Sequence, residues 1–593
     1  ARTEVTGGPV TQDYTSMITA KESGMALPMQ MGDETAYLFL PSSADLSNLS
    51  LTFALHDHTA SEISLTGSAG STTLNSLSGS VNMAAVTGSS GGSVRVGLDN
   101  MEEMPLYVMK SDNVSSLFIT SDDPSNQGRD FVDDSKSNKT TAKMKLVSEN
   151  GSVVYDGALT QVKARGNTTF ANAPKKSYQI KLKNKTDLIN CGEKNKAWVL
   201  LAGYFDATQL HDKTYKDLAA AISMPYVPNS DWVDLYYDGE YRGTYLLGEK
   251  NSVGNSGIDI TDMEDVYSQS NKDYGANETT ATAENRFGAT YQYTENLTEP
   301  DNITGGYLLE LNLSGDDEAS GFNTTHGASV NVKSPGWCGK DAMKYISEYY
   351  QEFEDAVYAT DSNGAHTGYN AQTGKYYYDY CDLTSLVQMY LLEELSSNVD
   401  GFYSSFYFYK DADGIMYAGP VWDMESTSGT GWSGYVDPQL EFINGRYLAK
   451  ALVQIPGFMT AVKDYYNSTF KSAVMQLIGS NGTLNSNAQR INASTAMNYT
   501  LWPYVRVGNP NSSSHLWSGA TYNTVVQDMV SWMGTRISAL DKSLSNGSSK
   551  PVEPVDPTVP VEPAKPVNPE KRAYIVEANY YTNNQKDNSS PII

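Results

Sequence analysis

Hydrophobic and polar positions change rhythm repeatedly along the 593 residues. From 1 to 108 the apolar positions come in short alternating runs, TAYLFLP, LSLTFALH, EISLTG, GSVNMAAV and GGSVRVGL, separated by Gly, Ser and Asn. A period of two is that of a strand with one buried face. Turn residues at this spacing predict a small β-sandwich module, read as a spacer or structural unit. From 109 the strands lengthen. SSLFITSDD predicts a strand, and TAKMKLVSENGSVVYDGALTQVKARG predicts a hairpin turning at Asn150 and Gly151. In SYQIKLKNK, Tyr178, Ile180 and Leu182 share one face while Gln179, Lys181 and Lys183 share the other. AWVLLA adds a further apolar run. DATQLHDKTYKDLAAAI then has helical spacing at Leu210, Tyr215, Leu218, Ala219 and Ile222, with Asp206 or Thr208 placed to cap it. SDWVDLYYDGEYRGTYLLGEK predicts a second hairpin, turning at Asp238 and Gly239. Strands, a helix and more strands predict an α+β lobe on an antiparallel sheet.

Residues 266–303 are polar and aperiodic, which predicts a long surface insertion. GGYLLELNL returns to strand. Helical spacing follows over Asp341 to Tyr358, Leu383 to Ser397 and several stretches between Arg446 and Ser545, so the second half of 109–545 reads as mainly helical. Residues 546–571 are Pro-rich and predict a semi-rigid polyproline spacer, with a short tail at 572–593.

Composition narrows the classes. The net charge of -27 and pI of about 4.6 argue against a nucleic-acid partner, because phosphate backbones require basic patches. Three cysteines make no disulfide framework, and no Cys or His cluster suggests zinc. No stretch approaches a membrane span. The chain starts at Ala1 rather than Met, which fits a mature secreted or cell-surface protein whose signal peptide is missing. The Pro-rich stretch would then serve as a stalk for cell-wall or surface association.

The chemistry concentrates between Asn398 and Trp432, in NVDGFYSSFYFYKDADGIMYAGPVWDMESTSGTGW. Asp400 follows a helical pattern. A period-2 strand over Phe406 to Tyr409 then turns at Asp411, Asp413 and Gly414, and a second strand delivers Asp423 beside Trp422. Carboxylates at the two ends of one hairpin suit phosphoryl transfer, which needs one Asp to receive the hydroxyl proton and another to hold Mg²⁺ on the phosphates. The same spacing also fits a structural Ca²⁺ site or plain loop acids.

Several segments, in order, carry a resemblance: RGNTTFANAPKKSYQIKLKNK, KAWVLLAGYFDATQLHDKTYKDLAAAI, WVDLYYDGEYRGTYLLGEK, GGYLLELN, LLEELSSNVDGFYSSFYFYKDADGIMYAGPVWDME and the Arg536 helix. Together they resemble the spore coat protein H (CotH) kinase family, which looks like a set of secreted atypical protein kinases. The resemblance implies a bilobal kinase-like domain over 109–545, with an antiparallel-sheet N-lobe and a mainly helical C-lobe. It also implies ATP with Mg²⁺, or Mn²⁺, and Ser or Thr hydroxyls of a surface or secreted protein as acceptors.

Roles follow from the resemblance. Asp400 matches the catalytic-loop Asp and Asp423 the metal Asp. Lys181 is the candidate for the phosphate lysine, with Lys176 as the alternative, and Arg165 would clamp phosphate. Glu249 would line the adenine or ribose edge. Ser405 and Glu425 would be further metal ligands. Asp212 would pair with Lys181 as the helix acid does in ordinary kinases. Two motifs depart from the family, which shows Arg-Asn-Lys where this chain has His211, Asp212 and Lys213, and WDFD where it has Trp422, Asp423, Met424 and Glu425. Plainer readings stand beside these. Lys181 is then a solvated strand residue, Arg165 a structural brace, Glu249 a structural acid and Trp422 core. For the whole chain the rivals are a non-catalytic adhesin and a carboxylate-pair glycan hydrolase.

Overall fold

A computed structural model describes residues 18–32, 35–55, 60–99, 103–254, 257–276, 278–312, 318–430, 437–503 and 519–545. The Pro-rich stretch and the tail lie outside these residues. The architecture is mixed α and β. Before residue 111 the strands form a four-stranded and a six-stranded sheet with one shared hydrophobic cluster. That cluster also takes in Phe118, Val147, Tyr236, Tyr241 and Met497, so the N-terminal sheets share their core with the rest of the chain.

Seven strands between Ser115 and Glu249 pair antiparallel, as the pattern predicts, and the row closes into a barrel, which the pattern does not predict. Closure comes from a parallel pairing of Ser115–Ser121 with Ser230–Tyr237, joining the ends of the row. Tyr178, Ile180 and Leu182 point into the barrel core, as their alternation requires. The two hairpins turn where expected. Gly151 has φ 86°, and Asp238 and Gly239 have φ 49° and 85°, the left-handed conformations of tight hairpin turns.

The helix His211–Ala221 bridges the barrel to the rest. Its entry is tied by Asp206, whose carboxylate accepts from the Thr208 and His211 backbone N–H groups at 2.8 Å each. A buried network around Asp234 fastens three parts together. Ser494 Oγ at 2.8 Å and Tyr241 Oη at 2.9 Å donate to its carboxylate, and Ser111 Oγ donates as well.

The second half contains a seven-stranded sheet as well as helices. Tyr307–Asn312 is central, flanked by Ser329–Ser334 and by Ser404–Lys410. The segment 266–303, expected as a surface insertion without regular structure, is largely exposed but structured. It contains the strands Thr280–Glu284 and Thr290–Thr294, which extend the edge of this sheet, and it begins within the helix Met263–Ser270. Lys340–Tyr358 and Leu383–Ser396 are helices where the spacing places them. The Leu383–Ser396 helix is buried nearly all round and is held by Arg536, fully buried, which donates to the Glu394 carboxylate and, at 2.7 and 2.9 Å, to its backbone oxygen. That anchor fixes the C-terminal end of the helix, from which the Asp400 loop departs.

Candidate functional site

A cavity of about 1450 Å³ lies where barrel and second sheet meet. Arg165, Gln179 and Leu201 line it from the barrel, and Leu308, Ser405 and Tyr407 from the sheet. Asp400, Asp423, Asp212 and Glu425 all line it too. The two hairpin carboxylates, 23 positions apart, therefore open on one space.

Each carboxylate is held by its own local structure. The Asn398 side chain accepts from the Asp400 backbone N–H at 3.0 Å, and Tyr403 and Ser404 N–H groups donate to the Asp400 carbonyl at 2.8 and 2.9 Å. Asn398 thus holds the loop. Beneath it lies Glu393, buried and hydrogen-bonded to the Asn398 side chain; burial pushes its carboxyl up to about 8. Burial likewise raises Asp400, and Arg446 opposes the shift. Ser405 donates to Asp423 Oδ2 at 3.3 Å. Phe402, Ser405 and Asp423 have φ of 54°, 52° and 59°. Left-handed backbone at non-glycine residues costs on the order of 1–3 kcal/mol each and clusters at sites where geometry is imposed.

The floor of the cavity has surplus negative charge. Removal from bulk water pushes Asp423 up to about 6, and Asp212 and Asp400 add to the shift while Arg165 counters it. Burial also pushes Glu425 up to about 8, against a hydrogen bond at 2.7 Å from the Phe205 N–H, with Asp212 and Asp423 raising it further. These shifts have a sign for stability. A carboxyl whose folded pKa lies above its unfolded value binds more protons when folded. The contribution of this pair is therefore largest below the unfolded values near 4 and declines as pH rises through about 6 and 8. In metal-free buffer, thermal stability is expected to fall between pH 4.5 and 8, with a shallower slope in Asp423→Asn/Glu425→Gln. Scanning calorimetry across that range decides it; equal slopes in both proteins would reject it.

One wall is cationic. Lys136, Lys163, Arg165, Lys250 and Lys333 line the cavity. Lys333 is tied to Glu310 at 3.2 Å and to Glu318 at 2.5 Å. The Arg165 guanidinium lies 5.6 Å from the Trp422 ring centroid. Gly166 follows at φ 96°, and a Cβ there would come within 2.2 Å of Thr169 Oγ1, so only glycine lets the chain turn along the cavity edge.

Other expected residues stand elsewhere. Lys181 is exposed on the outer barrel face and does not line the cavity; Gln179, one step back on the same face, takes that place. The two side chains share a face, but two residues of strand displace them by about 7 Å. Nor does Asp212 pair with Lys181: its Oδ1 accepts from the Met424 N–H at 3.1 Å. Lys176 does not line the cavity either. Its ammonium donates to the Phe170 carbonyl at 2.6 Å and sits over that ring. Lys175 is buried against the Ala202 and Thr244 carbonyls at 2.6 and 2.5 Å. Glu249 is off the cavity as well. It is a buried latch, accepting from Asn195 Nδ2 at 2.8 Å and the Asn229 N–H at 2.7 Å. Trp422 belongs to a hydrophobic cluster with Val199 and Leu308 and is 7 % exposed, so the core reading fits, although its edge reaches the cavity.

Sequence reasoning missed Gln179, Lys250, Asn251 and Arg446 on the cavity wall, and the cations Lys136, Lys163 and Lys333. Asn251 is buried with both side-chain atoms lacking hydrogen-bond partners. Its place just beyond the hairpin that ends at Glu249 was the available signal.

Oxygen donors with uncompensated charge suit a hard divalent cation. Among the described residues no group of three or more His, Cys, Asp or Glu side chains is gathered tightly enough to hold a metal alone. Mg²⁺ asks for less, since it usually keeps its waters and takes one or two carboxylates plus substrate phosphates. The donor set therefore fits it.

The cavity of this mixed α+β fold is thus lined by carboxylates and cations together. The family described as CotH kinase protein matches residues 162–540, well over half of the chain, and the chain belongs to this family. A search of curated proteins gave no match. No helix among the described residues is long and apolar enough to cross a membrane.

Proposed function

We propose that the chain is an ATP- and Mg²⁺-dependent protein kinase of the secreted or cell-surface type, transferring phosphate to Ser or Thr hydroxyls of a protein. The observation that carries this reading is that Asp400 and Asp423 open on one cavity that Arg165 also lines, near enough to Asp423 to favour its charge. In this reading the barrel and the second half are the two lobes of an atypical kinase, and the residues before 109 form a β-sandwich module. A polyphosphate meets the cationic wall, and Arg165 can clamp it bidentately. Asp423, with Ser405 and Glu425, would hold Mg²⁺ or Mn²⁺. The ion would neutralise phosphate charge as it develops. Asp400, raised by burial and steadied through Asn398, receives the proton of the acceptor hydroxyl. The Leu201 and Leu308 side chains offer an apolar wall for a base.

The test is label transfer from γ-labelled ATP to a protein acceptor with Mg²⁺ or Mn²⁺. Within it, Arg165→Ala is expected to raise KM for ATP at least about tenfold, the loss that accompanies one charge-assisted hydrogen bond. Lys181→Ala, on the exposed face, is expected to leave KM within about threefold. The reverse order would restore Lys181 as the phosphate lysine.

A further inference from the structure

A second cavity, of about 530 Å³, is lined by Lys213, Lys216 and Asp217 of the His211–Ala221 helix, by the segment 229–231 and by Arg490. Its charges are settled with one exception. Lys213 pairs with Asp217 one turn on, and Arg490 grips Asp231 with two bonds, at 2.5 and 2.8 Å. Lys216 is left. It is 3 % exposed, and its ammonium has no hydrogen-bond partner. The Ser230 hydroxyl, on the same cavity, is also buried without one. A buried ammonium without a partner is costly, and folds pair such a group or keep it for a ligand. Burial holds its pKa below the usual lysine value; Asp212, one turn earlier, opposes the shift, while Lys213 and Arg165 add to it. The ammonium lies 5.4 Å from the Trp422 ring centroid.

We propose that this second cavity binds a small oxyanion, phosphate or carboxylate, between the Lys216 ammonium and the Ser230 hydroxyl. Both groups are hydrogen-bond donors, and the cavity's other charges cancel in pairs, so an anion completes the set. The lysine stem is flexible enough to exchange the Trp422 ring for the anion. Trp422 immediately precedes Asp423, so occupancy would be felt beside the main cavity. The proposal does not depend on the kinase reading.

The test is a titration of the full chain with inorganic phosphate and, separately, with acetate, read by Tm and by tryptophan emission. A saturable response is expected in wild type. It should persist in Arg165→Gln, which removes the guanidinium of the main cavity. In Lys216→Met the affinity should drop at least about tenfold, the worth of one charge-assisted bond. Ser230→Ala should weaken it several-fold and carries the test if Lys216→Met does not fold. Without anion, Lys216→Met should raise Tm, since an apolar chain of similar length replaces an unpartnered charge. A response to one anion alone assigns the ligand as phosphate or carboxylate. No saturable response to either overturns the proposal. So does a response that Arg165→Gln abolishes and Lys216→Met leaves intact, which would put the anion in the main cavity.

Discussion

Asp423→Asn is expected to lower kcat/KM for phosphoryl transfer by on the order of 10³-fold, the worth of several kcal/mol of metal-borne charge stabilisation. The substitution is nearly isosteric. It keeps an oxygen that can accept from Ser405 and keeps the hairpin in place. What goes is the charge, and that charge is maintained at a cost. Burial first, then Asp212 and Asp400, push the Asp423 carboxyl up to about 6. Removing it relieves the repulsion, so the same variant should be more stable than wild type in metal-free buffer near neutral pH. Gain of Tm with loss of transfer is the signature of a group kept for function rather than for folding. Transfer assays with a Mg²⁺ titration, alongside calorimetry, measure both. If transfer continued at the wild-type rate, Asp423 would not be the metal residue.

Asp400→Asn should act differently. Loss of a positioned general base lowers kcat by about 10²- to 10⁴-fold. ATP affinity should stay close to wild type, because the loop is held through backbone groups that the substitution leaves alone. The Asn398 side chain accepts from the Asp400 N–H, and two later N–H groups donate to the Asp400 carbonyl. Label transfer and nucleotide binding measured on one preparation separate the two effects. Full activity would remove Asp400 from the chemistry; loss of ATP binding would make it a structural acid.

Much of this was readable before any coordinates. The helix Leu383–Ser396 and the strand Ser404–Lys410 have strong periods, and NVD and VWD mark the ends of the hairpin they enclose. Asp400, Asp423, Ser405, Glu425 and Arg165 all meet the cavity. The lysine was not readable. Alternation tells which face of Ser177–Thr186 a side chain takes, but not which position along that face meets the cavity. In KKSYQIK three lysines meet three fates: Lys175 is buried against carbonyls, Lys176 covers a phenyl ring, and Lys181 is exposed. Barrel closure was hidden for a related reason. Nothing within one strand names the partner that will pair with it from the far end of the sheet. The edge strand Thr280–Glu284 escaped because TATAE alternates only small and polar side chains, and its inner neighbour Thr290–Thr294 because two tyrosines are too short a period to stand out in a polar stretch.

The closed barrel sets a lower limit on what can be cut away. The family match begins at residue 162, inside the strand Val153–Arg165. A fragment trimmed to that boundary would lose two whole staves and most of a third, leaving Ser177–Thr186 and Ser230–Tyr237 with bare flanks. It would also strip Tyr236, Tyr241 and Met497 of the N-terminal side chains that cover them. For expression or crystallisation, a piece that keeps every stave and the side chains that cover them contains at least Ile18 to Ser545.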